Sequence, residues 1–376
     1  MLIFDHKRGW FAEVDVSRFA AFAAKRGGRT GTFLVQFGLM TPADLLNEPV
    51  VVDADFLRVN APDTYAIPDV RSAGDVSLGA KLVAPYPPFG DVNAGPPIRH
   101  YQRELDMGND RKLFTDDPAG LPLYEGRMVG QFDHKAKTYQ SGHGNSSVWI
   151  ERPNGDSMKA IVPQWRVLKS DIPAKLGDRC DRYRLAFRDV AQPRDVRSLI
   201  ATLIPPTVVC GDKVPTIDFP RGYEWAYLPW LAIANSFVMD WMVRSKLSSP
   251  KMSFTLMDSL PFPRPDLAEP WVQRVAPIVL RLVCPALEMT AYWNAMAAIG
   301  LCAAVPEWSV PPDVLIDESA RRSARAELDA IVARDVYGLT RHEMISILDT
   351  FPTAARYERQ KYGAFVSREL ILEKMT

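Results

Sequence analysis

Proline restricts this chain more than any other residue. It occurs 31 times in 376 positions, against an average nearer ~5%. Each proline fixes φ and removes a backbone donor, which keeps it out of helix interiors and central strands. The expected fold is therefore one of short elements joined by many turns and irregular connections. Residues 85–97, PYPPFGDVNAGPP, are the densest such stretch and read as a loop or an ordered irregular segment.

The length allows two or three domains and a sizeable core. With 47% hydrophobic and 24% charged residues, the composition is that of an ordinary globular protein. The four cysteines, Cys180, Cys210, Cys284 and Cys302, form no C-x-x-C pair, so a zinc site has little support and a reduced, cytoplasmic setting is expected. The first ten residues carry charges and no long apolar run, which argues against a secretory signal. Arg274, Pro277, Arg281 and Pro285 interrupt the longest apolar stretches, so no membrane span and no membrane partner is expected.

The pattern predicts an α+β fold in three parts. Residues 1–115 form a mixed α/β region, with strands expected in TGTFLVQFGL (30–39) and PVVVDADFLRV (49–59). Residues 116–265 are β-rich, with strand-like pieces in SSVWIER, AIVPQWRVL and LIATLIPPTVVC. In RYRLAFRDV, Tyr183, Leu185 and Phe187 alternate with Arg182, Arg184 and Arg188, which predicts one buried and one cationic face. Over residues 227–247 the period becomes helical, with Trp230, Ala234, Phe237, Trp241 and Met242 on one stripe. That helix is expected to end at the Ser248–Ser249–Pro250 turn. Residues 266–376 read as helical. Val272, Val275, Val279, Leu282 and Val283 form a stripe, a second helix runs from about Glu318 to Val336 and stops at Gly338, and a third starts at a Thr340/Glu343 capping box.

The formal net charge is zero, but it is unevenly distributed. Residues 127–197 hold 14 Lys/Arg and 8 Asp/Glu, a local excess of six positive charges. Such an excess is the footprint of phosphate contacts, and equally of a solvated mixed-charge face. The segment GQFDHKAKTYQSGHGNSS (130–147) sets Gln131, His134, Lys135, Lys137, Gln140, His143 and Asn145 among glycines. Gln and Asn can pair bidentately with adenine, and Lys can bond guanine. Asn235 and Ser236, polar in an apolar setting, need hydrogen-bond partners and are expected to hold a neighbouring loop. Lys246, Ser248, Ser249 and Lys251 follow that helix at positions suited to phosphates. Asp5, His6, Lys7 and Arg8 do not form the spaced acid–acid–Lys set of a nuclease.

Several segments, in one order, resemble the target-recognition and C-terminal region of large adenine-specific DNA methyltransferases of the type IIG restriction–modification and phage-exclusion kinds. They are RELDMGNDRKLF, LPLYEGRMVGQFDHK, RYRLAFRDVAQPRDVRSLIATLIPP with Arg188, Asp189 and Arg197, the helix with Asn235, Ser236 and Asp240 followed by LPFP, and finally ELDAIVARDVYGLTRHEMISILDTFP and YGAFVSRELILEKM. The match covers roughly residues 100–376. Arg127 departs from it, standing where the family's Tyr-Glu-Gly-Lys-Met run has Lys. The resemblance implies recognition of double-stranded DNA, and methyl transfer from S-adenosylmethionine to adenine by a methyltransferase domain expected on a separate or missing part. Adenine methyltransferases hold the flipped base with an Asn-Pro-Pro-aromatic motif. Here YPPF puts Tyr86 at the Asn position, and no Gly-rich cofactor loop precedes it, so no catalytic residue, bound cofactor or metal is assigned to this chain.

On this reading Lys135, Lys137, Arg182, Arg184, Arg188, Arg194, Arg197 and Lys251 contact phosphates, and Gln131 and His134 contact base edges. Two rival readings stand beside it. One is a divergent or truncated methyltransferase component. The other is an interaction subunit of a defence complex, with the basic face turned to protein.

Overall fold

The computed structural model describes residues 1–5, 18–62, 64–156 and 158–376, with the Asn145 side chain left aside. His6, Lys7, Arg8 and the Asn145 side chain therefore lie outside the described residues. The architecture is α+β, built from small sheets and short helices. The N-terminal sheet has the strand order Arg18–Ala21, Leu2–Asp5, Thr32–Leu39, Val50–Asp53. Val35, Val52, Phe56, Leu57 and Val70 form the core beneath it. The stretch 49–59, expected to be all strand, is strand only to Asp53. The Asp53 carboxylate then accepts the Asp55 amide and starts the helix Ala54–Asn60.

An antiparallel sheet follows, ordered Ala201–Ile204, Arg184–Phe187, Thr216–Asp218, His100–Gln102. A second small sheet joins Val209–Cys210, Leu121–Tyr124, Arg166–Val167 and Phe114–Thr115. The hairpin Lys137–Ser141 with Val148–Glu151 stands beside them. The main apolar core runs from Leu78 to Met375. It packs Phe187, Leu203 and Ile217 of the first of these sheets against Trp230, Phe237, Trp241, Val275, Val279 and Ile331 of the helices.

The Arg184–Phe187 strand corrects the expectation of a cationic face, because all four of its residues are buried. Arg184 has no exposed surface. Its Nε donates to Glu104 Oε1 at 2.6 Å, and Nη2 donates to Glu104 Oε2 at 2.9 Å and to the Val208 carbonyl at 2.9 Å. Glu104 also accepts the Cys210 amide and the Thr216 hydroxyl. One ion pair thus ties together the strands Arg184–Phe187, Val209–Cys210 and Thr216–Asp218.

The helix predicted over residues 227–247 is two helices, Tyr227–Ala234 and Phe237–Lys246. Ser236 takes an extended conformation and caps the second by accepting the Met239 amide. Asn235 turns its carboxamide to Ala201, accepting from its N and donating to its O, both at 3.0 Å. The polar pair therefore holds a neighbouring strand. Trp230, Phe237, Trp241 and Met242 are buried as the stripe predicts. The C-terminal helices follow the sequence closely: Pro270–Val283, Glu318–Ile331 continuing through one π turn to Val336, and Arg341–Asp349 with its Thr340/Glu343 capping box. No described helix is long and apolar enough to cross a membrane.

Asp329 supplies a pH-dependent contact in this core. Its carboxylate accepts the Phe237 amide at 2.6 Å, where that helix begins. Burial pushes its carboxyl up to about 6, with Arg197 and the Phe237 hydrogen bond pulling the other way. Raised above its unfolded value, the group stabilises the fold fully below about pH 4, and that contribution is lost as pH rises through about 6. Asp329→Asn keeps an acceptor for Phe237 without the charge. It is expected to remove a loss of up to ~3 kcal/mol between pH 4 and 7, read as a flatter pH profile in urea unfolding. An unchanged profile would place the titration elsewhere.

Candidate nucleic-acid interface

The fold redistributes the six-charge excess of residues 127–197. Arg184 pairs with Glu104, Arg182 with Asp218 at 3.2 Å, Arg197 with Asp240 at 2.6 Å, and Lys135 with Glu288 at 2.7 Å. All four carboxylates come from outside the segment. His134 is buried and also meets Glu288, at 2.9 Å. Burial alone would raise the Glu288 carboxyl, but His134 and Lys135 hold it well below the usual carboxylate range. Lys246, placed among phosphate-facing residues by sequence, is buried as well. Its ammonium donates to the Asn60 and Ser259 carbonyls, and burial lowers it to about 8.

What remains is a smaller set of cations around one recess of about 640 Å³, lined by Glu125, Arg127, Arg188, Val190, Asp195 and Lys213 among others. Arg127 has no carboxylate partner among the described residues and donates to the Ser147 carbonyl and hydroxyl at 3.1 and 2.8 Å. Arg188 donates Nε to the Val129 carbonyl at 2.6 Å and leaves both terminal nitrogens without a hydrogen bond among the described residues. Burial lowers its guanidinium from the ordinary value, with Glu151 and Asp195 partly offsetting it. Lys213 is already paired with Asp212 at 2.7 Å. Glu125, at the recess wall, has one oxygen buried without a partner, and burial raises its carboxyl against the pull of Arg127.

Two further sequence-assigned cations adjoin residues lining this recess. Arg194 is exposed and precedes Asp195. Lys251 is exposed, and its backbone bridges to Val190. Arg127 was missed as a site residue. Its only signal was its place in the Tyr-Glu-Gly-Arg-Met run.

Gln131 and Lys137 lie to one side. Gln131 donates its amide to the Asn235 carbonyl at 3.1 Å and lines a second, adjoining cleft that shares Val196, Arg197 and Ile200 with the recess. Lys137 begins the hairpin and sits 3.9 Å from Glu151. At the hairpin tip Gln140 is exposed, and His143 stacks on Trp165 with ring centres 5.8 Å apart. Gly142 permits this turn. Its φ is +82°, and a Cβ there would collide with the Ser146 carbonyl.

The strand-to-helix turn of the N-terminal sheet does not offer the backbone cradle that S-adenosylmethionine needs. Where the strand Val50–Asp53 runs directly into a helix, the turn is closed by the Asp53 carboxylate and has no glycine to admit a ligand. The YPPF loop is structural. Tyr86 donates to the Val336 carbonyl at 2.9 Å, and Phe89 packs against Phe262 and Trp230 at 4.9 and 6.1 Å. Phe89 N and Leu260 O, with Phe262 N and Pro87 O, close the loop onto LPFP.

No protein-family profile matches the chain, and no curated protein matches it. Among solved structures, the type IIL restriction–modification enzyme MmeI in complex with DNA aligns with 88% of this chain at 12% identity and a TM-score of 0.35. The aligned region is 42% of that enzyme's chain, so this chain spans less than half of its length.

Proposed function

We propose that this chain binds double-stranded DNA as the specificity part of an adenine-specific methyltransferase or restriction–modification system. Arg127, Arg188, Arg194, Lys251 and Lys137 contact phosphates, and Gln131 contacts a base edge. S-adenosylmethionine and the pocket for the flipped base belong to a partner chain or domain. The methyl-transfer chemistry comes from the sequence resemblance alone. One structural observation supports the DNA-binding reading: Arg127 and Arg188, which have no carboxylate partner among the described residues, line one recess, and the exposed Arg194 and Lys251 adjoin its lining residues Asp195 and Val190.

The test is fluorescence anisotropy with labelled duplexes of varied sequence at low salt. Arg188→Ala and Arg194→Ala are expected to weaken all duplexes alike. Gln131→Ala is expected to relax preference at particular base pairs by ~1–3 kcal/mol. Uniform loss at Gln131 would remove it from base reading, and no binding at low salt would end the proposal.

The interaction-subunit reading has one observation in its favour. Trp308 is 82% exposed, near exposed Val310 and Ile316 in the chain, and tryptophan is among the residues that most often anchor a protein interface. It predicts that Trp308→Ala loses a protein partner while the chain shows no DNA affinity.

A further inference from the structure

The cleft beside the recess carries unmet hydrogen-bonding capacity. Its volume is about 800 Å³, and it lies between the Gln131 turn, the end of the hairpin near Asn154, and the helices Glu318–Ile331 and Pro352–Tyr362. Three polar atoms on its lining residues are buried without a partner: Asn154 Oδ1, Arg321 Nε and Arg322 Nη1. Native structures leave few such atoms, and three on one cleft ask for an ordered water, an ion or a bound group.

Arg321 is the strongest of the three. Only 1% of it is exposed, yet its guanidinium meets carbonyls alone, those of Leu282, Leu315 and Phe132. No carboxylate lies within ion-pair distance of it among the described residues. Burial pushes the guanidinium down to about 10, with Asp133 opposing, as expected for a cation lacking an anion. Arg322 stacks over Tyr362 at 4.1 Å, and Lys361 lies over the same ring at 5.3 Å. The acids of the cleft wall are occupied. Glu318 holds Arg325, Asp133 holds Lys159, Glu358 accepts the amide and hydroxyl of Ser367, and Asp329 accepts the Phe237 amide. Glu151 is largely exposed, towards Lys137.

We propose that this cleft binds a phosphate ester of nucleotide size, with Arg321 and Arg322 holding the phosphate, Lys361 at the mouth, and Asn154 Oδ1 accepting a donor from the rest of the ligand. Two guanidinium groups, with free donors at Arg321 Nε and Arg322 Nη1, and an ammonium suit a dianion better than a single carboxylate. The cavity exceeds the needs of a bare phosphate and falls within the usual range for small-molecule sites. Tyr357, also on the lining, offers an aromatic ring to a planar base. The site stands on the cleft and is independent of DNA binding at the recess.

Isothermal titration of the full chain with adenosine 5′-monophosphate, inorganic phosphate and adenosine tests it. The monophosphate is expected to bind, with adenosine at least ~10-fold weaker through loss of charge-assisted hydrogen bonds. Arg322→Gln should weaken the monophosphate about tenfold. Asn154→Ala, which removes the acceptor and only a long 3.5 Å contact to Asp133, should weaken the monophosphate as well while leaving the melting temperature near that of the parent. It carries the test if Arg322→Gln fails to fold. Monophosphate binding is expected to persist beside saturating duplex DNA, and displacement of the monophosphate by DNA would overturn the proposal of a separate site. Absence of heat with both phosphate probes at millimolar concentration, or binding unchanged in both variants, would overturn the proposal. Arg322→Gln should leave the salt dependence of DNA binding unaltered, so the two readings fail separately.

Discussion

Glu104→Ala is expected to destabilise the protein by about 3–5 kcal/mol, the usual cost of stranding a buried charge. Arg184 would keep its carbonyl contacts to Val208 and Pro205 but lose both hydrogen bonds to its counter-ion, and the Cys210 amide and Thr216 hydroxyl would lose their acceptor. Urea unfolding should show a lowered midpoint with an unchanged slope. Replacing both partners, Glu104→Leu with Arg184→Met, should recover only part of the loss, because the apolar pair removes the stranded charge but leaves the Cys210 amide, the Thr216 hydroxyl and the Val208 carbonyl without these partners. A near-neutral Glu104→Ala would mean that Arg184 finds water or another anion in solution, and would return it to the residues available for DNA.

That ion pair marks the limit of what the sequence could disclose. Local rules worked where a neighbour within four residues decides the outcome. The Thr340/Glu343 box starts a helix where it should, and the valine stripe of Pro270–Val283 is the buried face. They failed where the partner is distant in the chain. In RYRLAFRDV the alternation is real, but both faces are covered, because Glu104 supplies a buried anion from 80 residues away. The +6 count over residues 127–197 failed for the same reason. A window counts only its own acids, whereas Glu104, Asp218, Asp240 and Glu288 neutralise it from outside. Asn235 and Ser236 were legible as structural residues because a polar pair in an apolar run must be satisfied. The break they make between two helices was not, since it depends on the Ala201 strand edge. The Arg321/Arg322 cleft left no sequence signal, as adjacent arginines on a helix are ordinary surface composition.

The salt dependence of DNA affinity separates the sequence-based interface from the folded one. Eight cations were assigned to phosphates from sequence, and a slope of log affinity against log salt of about −7 would follow if all eight made contact. Four of them, Lys135, Arg182, Arg184 and Arg197, are held by carboxylates in the fold. Releasing any of them to reach a phosphate would break an ion pair to a buried or half-buried carboxylate. Lys137, Arg188, Arg194 and Lys251 remain, joined by Arg127, and five contacts give a slope of about −4 to −5. Raising salt from about 50 to 200 mM should then weaken binding by roughly 10²–10³-fold. Arg188→Ala with Arg194→Ala should make the slope shallower by about 2, whereas Arg182→Ala should lower stability and leave the slope alone. A slope near −7 would show that the internal ion pairs open on binding. A slope near zero would remove DNA from the function of this face and leave the exposed Trp308 region as the surface to pursue.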